Sequence, residues 1–179
     1  MSLITIDFSN IGVVVASDDY PAGMGKCLKV VEDRFLVGSC DNTGYISLFR
    51  TAEEICQNAA PKTAEELFVK LRGNVKKDGT YFVMDTSGKR VWISEADDVF
   101  MYDRDFTDGI SLFFTKDNLL KRLTGHINIR PFKSGQDAKT VFTGIYKNLQ
   151  EAVKFINQQI ISGELDELYI ISDGKIAKA

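Results

Sequence analysis

The first forty residues, MSLITIDFSN IGVVVASDDY PAGMGKCLKV VEDRFLVGSC, constrain the fold more than any other part of the chain. They read as four short strands with almost no connecting length. Residues 2–8 alternate, with Leu3, Thr5 and Asp7 on one side and Ile4, Ile6 and Phe8 on the other, the period of a half-buried strand. Residues 11–17 (IGVVVAS) form a β-branched run, as expected of a strand covered on both faces. Ser9-Asn10 leaves room only for a short turn, so these two strands are antiparallel. A loop over residues 18–23 leads to a third strand over 26–31. Glu32-Asp33 then makes a tight turn into a fourth strand over 35–40.

Beyond this point the period changes. Asp41-Asn42-Thr43-Gly44 offers helix N-cap chemistry, and Tyr45, Ile46, Leu48, Phe49, Ala52, Ile55 and Cys56 recur at helical spacing, predicting a helix over about residues 43–58. Thr63-Ala64-Glu65-Glu66 is a capping box for a second helix, with Leu67, Phe68 and Leu71 as its apolar stripe and Gly73 as its stop. A hairpin follows, residues 81–85 and 90–94 around Thr86-Ser87-Gly88. Residues 99–102, 110–115 and 127–132 read as strands and 117–123 as a short helix. Two further helices are predicted over about 137–146 and 149–161, the second with one apolar face and closed by Ser162-Gly163. Residues 168–172 and 175–178 form a last hairpin around Asp173-Gly174. Strands and helices that come in groups indicate an α+β fold. Two stacked antiparallel sheets with a helix pair outside each bury every apolar stripe, which is a four-layer αββα sandwich.

A chain of 179 residues, 44% hydrophobic, suits a single domain over 1–179. The net charge of −3 gives no reason to expect a nucleic-acid or anionic-membrane partner. No apolar run approaches the roughly 20 residues of a membrane span, and the N-terminus lacks the charged and apolar regions of a signal peptide. Cys27, Cys40 and Cys56 are scattered without a CxxC pair, which fits buried apolar thiols in a reducing cytoplasm. Gly23-Met24-Gly25-Lys26 lacks the earlier glycine of a phosphate loop, since Tyr20 stands there. No metal or cofactor is called for.

Ser2 and Asp18 lie sixteen residues apart, Lys29-Val30-Val31-Glu32 precedes Phe35-Leu36-Val37-Gly38, Ser134-Gly135 opens a predicted helix, and Ser162-Gly163-Glu164 precedes Leu168-Tyr169. In this order and spacing, over nearly the full length, the chain resembles the β-type subunits of the proteasome and the HslV-type peptidases, which are N-terminal-nucleophile hydrolases. It departs from their pattern at Asp41-Asn42, where a glycine pair is usual, and at Gln159, where an acid is usual.

The resemblance implies a peptidase. With Met1 removed, the Ser2 hydroxyl would be the nucleophile and its own α-amine, titrating near pH 8 (roughly 7.7–8.0), the base. Lys29, or Lys26 as the rival, would lower the hydroxyl's pKa, and Asp18 would hold that lysine. Ser134 and Ser162 would orient the amine and a water, and a backbone N–H in the turn from Gly38 to Asn42 would meet the oxyanion. The family also implies peptide or unfolded-protein substrates, a homo-oligomeric ring or stacked rings, and an ATPase partner. The alternative is a catalytically silent relative that serves as a binding or assembly module. A non-proteolytic amidohydrolase of the same fold is a third reading.

Overall fold

A computed structural model of the chain describes residues 4–9, 12–18, 27–39, 45–75, 80–95, 97–106, 111–114, 119–120 and 165–178. The first four predicted strands are present as β1 (Ile4–Ser9), β2 (Gly12–Asp18), β3 (Leu28–Val31) and β4 (Phe35–Ser39). The helices α1 (Tyr45–Ala59) and α2 (Ala64–Asn74) follow, then β5 (Thr80–Asp85), β6 (Arg90–Glu95) and β7 (Asp98–Asp103), a 3-10 turn (Arg104–Phe106), β8 (Ser111–Phe114), β9 (Leu119–Leu120), β10 (Leu165–Ser172) and β11 (Lys175–Lys178). Two sheets result. One has six strands in the order β11-β10-β2-β1-β8-β9, the other five in the order β3-β4-β5-β6-β7, and every described pairing is antiparallel.

The sheets stack through one apolar layer. Ile4, Ile6, Phe8, Val13, Val15 and Ile171 of the six-stranded sheet meet Leu28, Leu36, Phe82, Met84, Val91 and Ile93 of the five-stranded sheet. The other face of the five-stranded sheet carries α1 and α2: Val31, Phe35, Val37 and Val83 pack with Leu48, Ala52, Cys56, Leu67, Phe68 and Leu71. With both faces covered, β4 is buried throughout, so its sequence FLVGS shows no apolar–polar alternation. The fold is therefore α+β, two stacked antiparallel sheets with a helix pair on the outer face of one, as an αββα sandwich requires. The helices predicted over 137–146 and 149–161 and the strand over 127–132 lie outside the described residues.

Local chemistry sets the element boundaries. Glu32 and Asp33 both adopt positive φ, 51° and 55°, and Arg34 N–H donates to the Val31 carbonyl at 3.1 Å, so a tight turn over Glu32-Asp33-Arg34 joins the paired ends Val31 and Phe35 of β3 and β4. Thr63 caps α2, its Oγ1 accepting from Glu66 N–H at 3.2 Å. The return bond of the predicted capping box is displaced by one residue: the Glu66 carboxylate accepts from Lys62 N–H rather than from Thr63. Asp85, at the end of β5, accepts from Ala64 N–H at 2.8 Å and ties the helix start to the sheet. Gly73 does not stop α2, which continues to Asn74 because the Asn74 amide donates to the Lys70 carbonyl and Val75 N–H to that of Leu71. Residues 119–120 are a strand, not part of a helix. Phe114↔Leu119 and Phe113↔Leu120 pair across β8 and β9, and sheet pairing outweighs weak local helix preference there.

Gly38 is a packing requirement. A β-carbon there would stand 2.1 Å from Cε1 of Phe82, which fills the inter-sheet layer. Gly38→Ala is expected to cost about 2 kcal/mol in urea denaturation, and Phe82→Leu in the same chain to cost less than the two changes summed. At the far edge of this sheet, Arg90 Nε donates to Asp103 Oδ2 at 2.8 Å, and that hydrogen bond holds the Asp103 carboxyl below the usual carboxylate range. A carboxyl depressed by folding stabilises above its unfolded pKa and loses that contribution as pH falls through the folded one. The stability gap between wild type and Asp103→Asn is expected to be complete above about pH 4 and to close in more acidic urea titrations.

Candidate functional site

The strand registers bring the chain segments that flank the candidate residues to one end of the sandwich. In the six-stranded sheet, Ile4 at the start of β1 faces Ser17 near the end of β2, and Leu165 at the start of β10 faces Asp18. In the five-stranded sheet, Leu28 at the start of β3 faces Gly38 near the end of β4, and Ser39 faces Tyr81 near the start of β5. The buried Gly88, in the turn from β5 to β6, relates the two sheets: a β-carbon there would stand 3.2 Å from Ile171 Cγ2 and 3.4 Å from Val13 Cγ2. The β5–β6 turn thus covers the start of β2 and the end of β10. The opposite end of the sandwich holds the beginnings of β1, β3, β5 and β10 and the ends of β2 and β4.

Ser2 precedes β1 at this end, Lys26 precedes Cys27 and β3, Asn42 follows β4, and Ser162 precedes β10. These four residues and Ser134 lie outside the described residues. Asp18 is described through its backbone, as the last residue of β2. Gly38 is buried in β4, where Ser39 N–H donates to the Cys27 carbonyl at 2.9 Å and its Oγ to the Thr80 carbonyl at 3.1 Å. The chain leading into β3 is thereby fixed to the end of β4.

Lys29 takes the other face of its strand. Leu28 and Val30 pack into the inter-sheet layer, whereas Val31 packs against the helices, and Lys29 shares the side of Val31. Its Nζ stands 3.2 Å from Glu53 Oε1 of α1, with both side chains nearly half exposed. The structure therefore does not turn Lys29 toward the space between the sheets.

Two polar residues that the sequence reading did not single out do face that space. Ser17 has the parity of Val13 and Val15, and Glu167 that of Tyr169 and Ile171. The two are cross-strand neighbours, each 1% exposed. Ser17 Oγ has no hydrogen-bond partner, and Glu167 Oε1 stands 3.5 Å from Lys178 Nζ of β11. Their signal in the sequence is parity, a glutamate two and four residues before Tyr169 and Ile171 in one strand.

Neither described cysteine is a rival nucleophile. Cys27 and Cys56 are buried, and burial together with the nearby Glu32 carboxylate pushes the Cys56 thiol up to about 11.

No protein-family model matches the sequence, and no curated protein does. Among solved structures, the chain is similar to the Anbu (Gly-1) mutant from Hyphomicrobium sp. strain MC1, with a TM-score of 0.53 and 12% identity, over 100% of this chain and 85% of that one. The likeness is one of fold alone.

The Cys56 environment gives a direct chemical expectation. With a pKa of about 11, roughly one thiol in a thousand is ionised at pH 8. Iodoacetamide is expected to leave Cys56 unmodified in the folded chain and to modify it fully in urea, read by peptide mass.

Proposed function

We propose that this chain is an N-terminal-nucleophile amide hydrolase acting on peptides, with Ser2 as nucleophile once Met1 is removed. The observation that carries the reading is the convergence, at one end of a proteasome-like sandwich, of the strand ends that flank Ser2, Asp18, Lys26, Gly38 and Ser162. The free α-amine takes the Oγ proton of Ser2 as Oγ attacks the amide carbon, and returns it to the leaving amine when the C–N bond breaks. Water then hydrolyses the acyl ester by the same route in reverse. The oxyanion is met by a backbone N–H in the turn after Gly38, a contribution of about 3 kcal/mol for one well-placed donor.

The supporting lysine in this reading is Lys26, held by Asp18. Lys29 is engaged with Glu53 on the helix side of its sheet, while Lys26 adjoins Cys27, which belongs to the inter-sheet layer. Ser134 and Ser162 are proposed to orient the α-amine and its water. Peptide or unfolded-protein substrates, a homo-oligomeric ring and an ATPase partner are carried by analogy of fold.

Intact mass and labelling by a β-lactone that acylates N-terminal hydroxyl nucleophiles test the reading together. A chain lacking Met1 and labelled on Ser2 is expected, with labelling abolished in Ser2→Ala and slowed about 100-fold in Lys26→Ala. Lys29→Ala is expected to label at nearly the wild-type rate and to change stability by less than about 1 kcal/mol, as for an exposed ion pair. A chain that keeps Met1 throughout and never labels overturns the proposal and leaves the sandwich as a binding or assembly module.

A further inference from the structure

An open sheet edge is a template for pairing with another chain, and folded proteins blunt such edges with lysines, prolines or very short strands. The described sheets end in four edge strands, and three of them are blunted in this way. β3 carries the exposed Lys29, β11 carries Lys175 and Lys178, and β9 is two residues long. β7 is the exception. It is six residues long, contains no lysine or proline, and has no strand on its outer side among the described residues.

The centre of β7 is apolar and bare on one face. Phe100 and Tyr102 turn into the inter-sheet layer, so Val99 and Met101 take the helix side, where Met101 stands across from Trp92. There α2 packs on β5 and β6, with its Phe68 against Trp92. Val99 is left 46% exposed and Met101 43%. Val69 of α2, 63% exposed, lies beside them. It shares a helix flank with Arg72, whose guanidinium donates to Ser94 Oγ and to the carbonyls of Asp97 and Asp98 at the start of β7. Val69, Val99 and Met101, the exposed large apolar side chains among the described residues, thus form one patch.

Backbone and charge both fit a second copy of this strand. Arg104 N–H donates to the Lys89 carbonyl at 2.8 Å, in register with Arg90 facing Asp103. Backbone groups alternate sides along an antiparallel ladder, so the even-numbered residues of β7 turn theirs to β6. Val99, Met101 and Asp103 turn theirs to the open edge. An antiparallel copy related by a two-fold axis at Phe100 sets Val99 against the partner's Met101, and Met101 against the partner's Val99, each as a hydrogen-bonded pair. The same axis brings unlike ends together. Glu95, Asp97 and Asp98 stand at the start of β7, beside Arg72. Lys89, Arg90 and Arg104 stand at its end, where Arg90 already holds Asp103 and Asp105 follows. A parallel copy would set like ends together.

We propose that β7 is the interface of an isologous dimer, in which Val99 and Met101 pair across the two-fold axis and Val69 of each copy flanks them. The inference goes beyond the N-terminal-nucleophile reading and does not depend on it.

Sedimentation of the whole chain over about a hundredfold range of concentration is expected to show a shift from one chain mass, 20.0 kDa, to two. Val99→Lys and Met101→Lys each put a charge into the contact and are expected to raise the dissociation constant at least about tenfold. The melting temperature of the dilute chain is expected to stay unchanged in both, because the two positions are exposed. The register is read by oxidising a mixture of Val99→Cys and Met101→Cys chains. A hydrogen-bonded pair holds its Cα atoms about 5.5 Å apart, within disulfide reach. Peptide mass is expected to find position 99 of one chain bridged to position 101 of the other, and this bridge decides if a lysine variant does not fold. A chain that stays monomeric at every concentration overturns the inference and leaves the edge to a strand of another protein. An assembly of any size that both lysine variants leave intact, or one in which the bridge does not form, overturns it as well.

Discussion

The contact between the two sheets is the interaction on which the rest of the structure depends. It buries Ile4, Ile6, Leu36, Phe82 and Ile93 completely, and each such side chain contributes about 1.5–3 kcal/mol on leaving water. The exposed Lys29–Glu53 pair contributes about 1 kcal/mol at most. The layer therefore sets the register and parity of the strands, and surface charges adapt to it. The absence of a side chain at Gly38 belongs to this constraint, because the Phe82 ring occupies the place where its β-carbon would be. Parity then decides which polar groups can face the inter-sheet space at all: Ser17 and Glu167 do, and Lys29 does not.

Much of the sandwich was legible in the sequence wherever one face of an element was apolar and the other was not. Alternation in β1, helical spacing in α1 and α2, and glycine or acidic turns at Glu32-Asp33, Gly88 and Asp173-Gly174 each fixed an element to within a few residues. The failures share a cause. Leu119–Leu120 is a strand because it pairs with Phe113–Phe114, a partner that local spacing does not reveal. In β3 both faces are buried elsewhere along the strand, so LKVV offers no periodic hint of which side Lys29 takes. Only the position of α1, with Glu53 above that side, settles it. Glu167 lies one residue before the predicted start of the last hairpin at Leu168. Extending β10 back to Leu165 puts the glutamate on the row of Tyr169 and Ile171.

The candidate site was legible as an ordered set of residue types, and less so as an arrangement in space. Spacing cannot tell which of two lysines three residues apart enters a site when both belong to one strand region. A shift of one residue exchanges the faces of a strand. The structure ties Cys27 to the end of β4, its carbonyl accepting from Ser39 N–H, and turns Lys29 to the helix side of its strand. The strand registers bring the starts of β1 and β10 and the ends of β2 and β4 together, although they lie far apart in sequence.

Placing polar groups at the end of an apolar layer separates the requirements of folding from those of chemistry. The strands are held by contacts deeper in the layer, among Phe82, Met84, Val13 and Ile171, which do not involve the proposed nucleophile. The proposed nucleophile depends instead on a covalent event at the terminus, the loss of Met1. Likeness of fold at 12% identity is therefore compatible with an active or a silent site, and covalent labelling of the terminal hydroxyl distinguishes them.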